Sequence, residues 1–304
     1  MSVINLRDFG GRFLTTGSVR IDDKTYPGVS AYVQYFIPVD ARETSITFVH
    51  GGGGQGAEFL STSDGRPGWA HVFLKAGFPV YILDRPGHGR NVWNEAVLGQ
   101  ALPPPDYESL YPRFVETAAA NLWPEASKHS RWPEYKKAAD RFMASQGVMA
   151  TTLEASQRHV EAIADELFEI TGHTAIISHS AGGPCGWALA AMGGNSVAAV
   201  IAVEPLGYPG MTHPLGTFGD GLLAAAAAGS FDPYARPCVI VTGEAGWMRD
   251  ANNRAAAFLE SRGHSEPHLR LEEYGLTGNG HMMMSETNSD SIAKLLVDWI
   301  EQQL

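Results

Sequence analysis

The sequence predicts an α/β protein with a doubly wound, mostly parallel sheet of eight strands, and residues 1–304 are expected to form a single domain. The first observation is that short apolar runs rich in β-branched residues alternate with helical patterns along most of the 304 residues. The second is that most of these runs are continuously apolar, which is typical of strands covered on both faces. The six runs are Thr44–His50, Pro79–Asp84, Thr174–Ser180, Val197–Glu204, Pro237–Gly243 and His268–Tyr274.

Two further segments, Arg12–Arg20 and Ala31–Pro38, complete the predicted sheet as an antiparallel N-terminal pair. Apolar residues at helical spacing lie between the strand runs, and they predict helices that cover both faces of the sheet. The last of these is an amphipathic helix at the end of the chain. The predicted helices are Gly68–Ala76, Thr152–Thr171, Ala181–Met192, Arg249–Arg262 and Asp290–Gln303.

One segment, residues 92–150, interrupts this alternation because it holds no run that resembles a core strand. A structureless loop of that length is improbable in a compact domain, so the sequence predicts a helical insertion that covers the carboxyl edge of the sheet as a lid. A disordered linker is the alternative, but the segment is rich in tryptophan and tyrosine, which linkers lack. Trp123, Trp132 and Tyr107 are expected to wall a substrate pocket.

The composition excludes several classes of protein. A formal net charge of -11 argues against nucleic-acid binding, which rewards clustered lysine and arginine, and leaves no basic face for anionic lipid. No run of about 18 apolar residues is present, so no membrane span is expected. The first residues, MSVINLRDFGG, lack a basic region followed by an apolar run. We therefore expect no signal peptide and a cytoplasmic protein.

The two cysteines, Cys185 and Cys238, are too few for a disulfide framework in a chain of this length. Each lies in a predicted core element, so both are expected to be buried and reduced, with a single bridge between them as the open alternative. The sequence also lacks H-E-x-x-H or any similar cluster of histidine and acidic residues. Neither a metal nor an organic cofactor is expected.

The segment TAIISHSAGGPCGWALA joins a buried strand to a helix through a turn centred on Ser180. The pattern Ser178-x-Ser180-x-Gly182 matches the nucleophile-elbow motif G-x-S-x-G with its first glycine replaced by serine. The bend is so tight that the residues two before and two after the serine nearly touch, which requires small side chains there. The turn is expected to lift the Ser180 hydroxyl clear of the sheet. An ordinary strand-to-helix turn is the alternative.

The loop FVHGGGGQG, at residues 48–56, follows the first strand of the parallel series. His-Gly-Gly-Gly in this place is typical of a loop whose backbone N–H groups stabilise an oxyanion, and glycine lets the substrate approach bare backbone. We expect the N–H groups of Gly52 and Ala181 to form the oxyanion hole, with Gly53 as a third donor that contacts substrate. His50 is expected to brace the loop. A phosphate-binding loop is disfavoured because the pattern G-x-x-x-x-G-K-[ST] is absent.

A serine hydroxyl needs a base, and 11 histidines compete for that role. In sheets that carry such an elbow the chain order is serine, acid, histidine, so the base should follow the last strand. His281, in the loop GLTGNGHMMM, meets that condition, whereas His264 and His268 flank the entry to the last strand at the opposite end of the sheet. His179, beside the nucleophile, is expected to shape the elbow or the substrate pocket.

Two positions compete for the acid that orients the histidine. Glu204 ends the apolar strand VAAVIAVE beside the nucleophile strand, while Glu244 lies in VTGEAGWMRD after the next-to-last strand. A carboxylate at a buried strand end is costly unless it is paired, so Glu204 is the preferred acid and Glu244 the alternative. A strand-end cap without a catalytic role is the other interpretation of Glu204.

Together these residues resemble the α/β-hydrolase superfamily over nearly the whole chain. The serine-containing elbow, the acid after the sixth strand and the segments DGRPGW (residues 64–69) and DRPGHGR (residues 84–90) look closest to a small group of bacterial carboxylesterases. The resemblance implies a triad of Ser180, His281 and Glu204 and an oxyanion hole at Gly52. Relatives in that group can carry neighbouring cysteines where this chain has Gly52 and Gly53, which bears on substrate range rather than reaction class.

The predicted activity is hydrolysis of a small-molecule carboxylic ester or lactone through an acyl-serine intermediate. Other chemistry with the same triad stays open, namely carbon–carbon bond hydrolysis, amide hydrolysis or acyl transfer. A non-catalytic receptor of the same fold is a less favoured alternative, because all three triad positions are filled. A homodimer stays open as well, since exposed edge strands and apolar helices often mediate dimers in this fold.

Overall fold

A central sheet of eight strands organises the computed structural model, which describes residues 3–207, 212–213, 216–217 and 234–304. Three two-stranded sheets accompany it within these residues. The described strands are β1 (Leu6–Thr15), β2 (Ser18–Ile21), β3 (Lys24–Pro27), β4 (Ser30–Pro38), β5 (Ser45–Val49), β6 (Val80–Asp84), β7 (Ala101–Leu102), β8 (Met149–Ala150), β9 (Thr174–His179), β10 (Val197–Val203), β11 (Thr212–His213), β12 (Gly216–Thr217), β13 (Cys238–Thr242) and β14 (His268–Arg270).

The central sheet has the order β1-β4-β6-β5-β9-β10-β13-β14. β4 runs antiparallel to both β1 and β6, and each later pair of neighbours is parallel. All residues of β5, β9 and β13 are buried, because helices cover both faces. The predicted doubly wound, mostly parallel sheet of eight strands is confirmed.

The bounds of the first strand differ from the prediction. The strand covers Leu6–Thr15 instead of Arg12–Arg20. Gly17 adopts a φ of +91°, and its carbonyl accepts a hydrogen bond from the Gly28 N–H, so the chain turns at that point. Most residues of β1 are exposed, which left no continuous apolar run to mark the strand in the sequence.

The described helices are α1 (Trp69–Lys75), α2 (Glu95–Leu98), α3 (Tyr107–Phe114), α4 (Thr117–Ala120), α5 (Ala138–Ala144), α6 (Leu153–Glu161), α7 (Ala164–Thr171), α8 (Gly183–Gly193), α9 (Arg249–Ser261) and α10 (Ser289–Gln303). The single helix predicted at 152–171 is thus two helices, which part at Ala162 and Ile163 without a glycine or proline to mark the break. Among these described helices, none is both long enough and apolar enough to cross a bilayer.

The hydrophobic core has two parts, one on each face of the sheet. Along β9, Ile177 belongs to the part that α1 and α10 cover, and its neighbour Ile176 belongs to the part that α7 and α8 cover. Leu167 of α7 is fully buried in the second part. Cys185 and Cys238 are also buried there, as expected.

Residues 92–150 hold the short helices α2 to α5 and the paired strands β7 and β8. No residue of α3 is fully buried. By contrast, Phe142 and Met143 of α5 pack into the core part that α1 covers. The segment therefore combines short helices with a strand pair, and its action as a lid stays a prediction.

The turn after β9 brings backbone groups into close contact at the carboxyl edge of the sheet. A Cβ atom on Gly182 would lie 2.3 Å from the His50 carbonyl oxygen, and one on Gly186 would lie 2.6 Å from Ser178 Oγ. Both distances are far shorter than a van der Waals contact, so only glycine fits at these two positions. The need for small residues around the turn thus has a direct structural cause.

Leu167→Ala should destabilise the fold by about 2–5 kcal/mol, because it removes buried apolar atoms and leaves a cavity. The measurement is the free energy of unfolding from urea denaturation. Leu122→Ala, at a position 62% exposed, is the control and should change that free energy by less than about 0.5 kcal/mol. Equal stability of the two variants would contradict this description of the core.

Gly182→Ala should lower the melting temperature, because the added methyl group would push the turn away from the His50 carbonyl. Gly52→Ala is the matched control, since a Cβ atom at Gly52 would have no heavy atom within 4 Å. The control should melt like the wild type in differential scanning calorimetry. If both variants melt alike, the close approach at Gly182 does not constrain the turn.

Candidate active site

Ser180 is the first residue of a short 3₁₀ turn, Ser180–Gly182, between β9 and α8. Its φ is +53°, in the left-handed region that a non-glycine residue occupies at a cost of order 1–3 kcal/mol. The Leu206 N–H donates to the Ser180 carbonyl at 3.0 Å and helps to hold this conformation. Ser180 lines a cavity at the carboxyl edge of the sheet, where the elbow motif places a nucleophile.

His281 lies in the loop between the 3₁₀ turn Leu271–Tyr274 and α10, and its side chain is buried. Its Nε2 atom is 2.9 Å from Ser180 Oγ, and its Nδ1 atom is 3.3 Å from Glu204 Oε2. When Glu204 is ionised its oxygens only accept hydrogen bonds, so Nδ1 carries the ring proton and Nε2 is left to accept the serine proton. The structure thus brings the three side chains together in the order that a base-activated nucleophile needs.

Glu204 follows β10 directly, has a φ of +45° and is fully buried. Its Oε1 atom accepts a hydrogen bond of 2.8 Å from the Gly243 N–H, which leaves Oε2 for the imidazole. A Cβ atom on Gly246 would lie 2.2 Å from Oε1, so the loop after β13 closes tightly over the carboxylate. Glu204 therefore has the partners that a buried carboxylate requires.

Glu244, the alternative acid, has different partners. Its carboxylate pairs with Lys128 Nζ at 3.2 Å and accepts a hydrogen bond from the Gly278 N–H at 2.9 Å. The hydrogen bond from the Gly278 N–H is the main cause that lowers the pKa of Glu244, and Lys128 lowers it further. Of the two candidate acids, Glu204 is the one that contacts His281.

Burial governs the protonation of the His281–Glu204 pair. It lowers the pKa of His281 and raises the pKa of Glu204, while the Gly243 N–H and the Arg249 guanidinium act against the second shift. A lowered pKa keeps the imidazole neutral at neutral pH. That is the state in which a histidine can accept a proton.

Arg85, which is almost fully buried, holds the glycine loop after β5 through hydrogen bonds to the loop carbonyls. Arg85 Nη2 donates to the carbonyls of Gly51 and Gly52 at 2.8 and 2.7 Å. In a trans peptide the C=O and the next N–H point in opposite directions. The N–H groups of Gly52 and Gly53 are therefore turned away from Arg85. Both residues line the cavity beside Ser180, as does Ala181.

His50 braces the same loop, as expected from the sequence. Its Nε2 atom accepts a hydrogen bond from the Arg85 N–H at 3.1 Å, so its Nδ1 atom carries the proton and donates to the Gly51 carbonyl at 2.9 Å. Burial, reinforced by the Arg85 charge, lowers the pKa of His50 well below its usual value. The ring therefore stays neutral and keeps this tautomer.

A cavity of about 280 Å³ opens beside Ser180. Its aromatic lining comes from Phe114, Phe142 and Trp247. Phe114 stacks on the His281 ring, with centroids 4.9 Å apart and 16° between the planes, and the Trp247 ring meets His281 at 5.7 Å and 69°. The cavity is therefore suited to apolar substrate groups.

Two of the five residues predicted to contact substrate lie at this cavity. Gly53 and His179 line it. His179 also reaches the base loop, because its Nε2–H donates to the His281 carbonyl at 3.0 Å. This side chain therefore both lines the cavity and supports the histidine beside it.

The structure does not bring Trp123, Trp132 or Tyr107 to the cavity lining that it describes, which corrects that expectation. Trp123 donates its indole N–H to the Ala245 carbonyl at 3.3 Å. Trp132 packs against the core part that α1 covers. Tyr107 is 45% exposed, and its hydroxyl donates to Asp140. The aromatic composition of the insertion indicated an aromatic wall, but the path of the chain decides which rings reach it.

Sequence reasoning missed several residues of the cavity. Trp247 follows β13, and the rule that loops after parallel strands meet at one edge could have indicated it. Phe114 carried no such signal, because its place depends on how the insertion folds. Glu58 also lines the cavity, and burial raises the pKa of its carboxyl to about 8.

In the part of the chain that the structure describes, no group of three or more histidine, cysteine, aspartate or glutamate side chains is arranged to hold a metal ion. The expectation that no cofactor takes part stays a prediction.

Comparisons with known proteins agree with this architecture. The family described as alpha/beta hydrolase fold matches residues 44–224. A relative named probable secreted lipase phiG, from a fungal species, is 28% identical over an alignment of 322 positions that covers 91% of this chain and 87% of that protein. The solved structure of a novel bacterial esterase superposes with a TM-score of 0.69 at 22% identity and covers 100% of this chain and 98% of that one.

A second solved structure, of a predicted CIB-like hydrolase from Thermoplasma acidophilum, has a TM-score of 0.51 at 13% identity, covering 97% of this chain and 99% of that one. At such identities these two structures support the fold alone. The family match spans more than half of the 304 residues and includes the glycine loop and the Ser180 turn. The chain belongs to the α/β-hydrolase fold family.

Proposed function

We propose that the chain is a serine hydrolase that cleaves a carboxylic ester through an acyl-enzyme intermediate. The observation that carries the proposal is the hydrogen-bonded series from Ser180 Oγ to His281 and on to Glu204, at 2.9 and 3.3 Å, beside an apolar cavity. The lipase and esterase names of the similar proteins favour an ester over other acyl compounds.

In the first half of the reaction, His281 Nε2 takes the proton of Ser180 as Oγ attacks the ester carbonyl carbon. Negative charge then builds on the carbonyl oxygen, and the N–H groups of Gly52 and Ala181 donate to it, with Gly53 as a third donor. The imidazolium passes its proton to the departing alcohol oxygen, which leaves an acyl group on Ser180. Glu204 keeps the imidazole oriented and stabilises its charged form.

In the second half, a water molecule replaces the alcohol. His281 takes a proton from that water, whose oxygen attacks the acyl carbon, and then returns the proton to Ser180 Oγ as the acid leaves. The same donors stabilise the second oxyanion. The Gly52 and Gly53 N–H groups require no rearrangement, because Arg85 already holds the Gly51 and Gly52 carbonyls.

The cavity limits the substrate. Its volume of about 280 Å³ and its aromatic lining favour an acyl or alcohol group of small to medium size with apolar character. Lactones satisfy the same chemistry, because their ring opening needs only the acyl-transfer step. Helix α3 supplies Leu110 and Phe114 to the lining, which supports the insertion as a wall of the substrate pocket. Cytoplasmic location and a homodimer stay predictions.

Ser180→Ala should abolish ester hydrolysis, with a loss of about 10³- to 10⁶-fold in kcat, because the nucleophilic oxygen is gone. A panel of p-nitrophenyl esters and lactones graded by acyl size measures turnover, and a fluorophosphonate probe measures labelling of Ser180. Ser261→Ala, at an exposed serine in the last turn of α9, is the control and should keep both.

Two results would contradict this proposal. Turnover that survives in Ser180→Ala would remove the serine from the mechanism. Ligand binding without turnover or labelling in the wild type would instead favour a receptor.

Glu204→Gln should lower kcat by about 10²- to 10⁴-fold, because an amide cannot stabilise the imidazolium as a carboxylate does. Glu244→Gln is the comparison and should lower kcat far less than Glu204→Gln, because Glu244 contacts the base loop at the Gly278 N–H, away from His281. Both variants are compared at neutral pH with melting curves alongside. A large loss confined to Glu244→Gln would assign the acid to Glu244.

A further inference from the structure

A second buried carboxylate, Glu286, lies next to the residue that precedes the candidate base. Its Oε1 atom accepts hydrogen bonds from the Gly280 N–H at 2.8 Å and from His129 Nε2 at 2.9 Å. Its Oε2 atom accepts a third bond from Asn279 Nδ2 at 2.6 Å. Glu286 is fully buried, and the mechanism above does not use it.

His129 comes from the insertion, and its ring packs directly on the base loop. A Cβ atom on Gly280 would lie 3.0 Å from His129 Cδ2 and 3.2 Å from Glu286 Oε1. Gly280 and the adjacent His281 are joined by one peptide, so any shift of Gly280 moves the base. His129 and Glu286 therefore enclose the backbone on which the orientation of His281 depends.

The two residues that follow His129 hold the insertion to this loop. The Ser130 N–H donates to the Gly278 carbonyl at 3.0 Å, and Arg131 Nε donates to the Thr277 carbonyl at 2.8 Å. In return, the Thr287 N–H donates to the Arg131 carbonyl at 2.9 Å. The bond between His129 and Glu286 adjoins these contacts.

We propose that Glu286 and His129 are positioning residues for His281, and that residues 129–131 of the insertion are a fixed support of the base loop. This proposal rests on the proposed role of His281 as the base. Neither side chain is among the described residues that line the cavity, so neither touches substrate. Their effect reaches the reaction through the place of the imidazole, and, in addition to burial, the charge of Glu286 raises the pKa of Glu204.

The physical reason for the effect is the narrow tolerance of the triad. Ser180 Oγ and Glu204 Oε2 contact opposite sides of the His281 ring. A displacement of the ring by about 1 Å is enough to lower the rate by about 10²-fold. Glu286→Gln replaces one acceptor oxygen by an NH₂ group, which would face a donor at either position. The Gly280 N–H or the Asn279 amide then loses its partner in a buried site.

The test compares Glu286→Gln with Leu167→Ala, which destabilises a distant part of the core. We expect kcat for p-nitrophenyl acetate to fall by about 10- to 100-fold in Glu286→Gln, with KM changed by less than about twofold. Leu167→Ala should keep kcat at the wild-type level at a temperature where both variants are folded. A loss of kcat equal in the two variants would reduce Glu286 to a general stabilising residue and overturn the proposal.

Hydrogen exchange gives a readout that does not depend on turnover. Glu286→Gln should raise the amide exchange rate of Gly280 by at least about tenfold, while Leu167→Ala raises exchange mainly in α7 and its neighbours. Unchanged protection of Gly280 would overturn the proposal. Absence of turnover and of Ser180 labelling in the wild type would instead contradict the proposed function, so the two failures are distinguishable.

A pair of variants at His129 covers the case in which Glu286→Gln does not fold. His129→Gln keeps an N–H donor for Glu286, whereas His129→Leu removes it. We expect His129→Gln to retain more kcat and more Gly280 protection than His129→Leu, with KM similar in both. Equal values in the two variants would show that the hydrogen bond to Glu286 does not position the base.

Discussion

The site depends on holding one buried imidazole in a loop that has neither helix nor strand to fix it. His281 must stay within hydrogen-bond distance of both Ser180 and Glu204, although its own backbone follows an irregular path. His179 donates to the His281 carbonyl, and Arg66 Nη2 donates to the carbonyls of Ser285 and Glu286 further along the loop. Neighbouring side chains therefore take the role that regular hydrogen bonding plays elsewhere in the fold.

The parallel sheet provides the fixed reference for the other two members of the triad. Strands β9 and β10 are paired so that His179 lies opposite Val203, which places Ser180 and Glu204 level with each other just beyond the sheet. Both have a positive φ, of +53° and +45°. Conformations of this kind persist where the surrounding structure over-determines them, and here buried strands and close backbone contacts surround both residues.

The end of β6 completes this arrangement with charged groups. Asp84 accepts a hydrogen bond from the Gly56 N–H at 2.7 Å, and Arg85 holds the Gly51 and Gly52 carbonyls. These two side chains fix both ends of the glycine loop that faces Ser180. The segments DRPGHGR and DGRPGW, which stood out in the sequence, thus support the loops around the site, the first through Asp84 and Arg85 and the second through Arg66.

The sequence alone determined the sheet, the helices on its two faces, the turn at Ser180 and the glycine loop, because each depends on local pattern and on residues close in the chain. Chain order and the rule that parallel strands end at one edge also indicated His281 and Glu204. Local pattern and chain order could not identify the residues that line the cavity. The sequence predicted Trp123, Trp132 and Tyr107 as its aromatic wall, whereas Phe114 and Trp247 line it in the structure. Those contacts join residues far apart in the chain, and only the packing of the insertion on the finished sheet decides them.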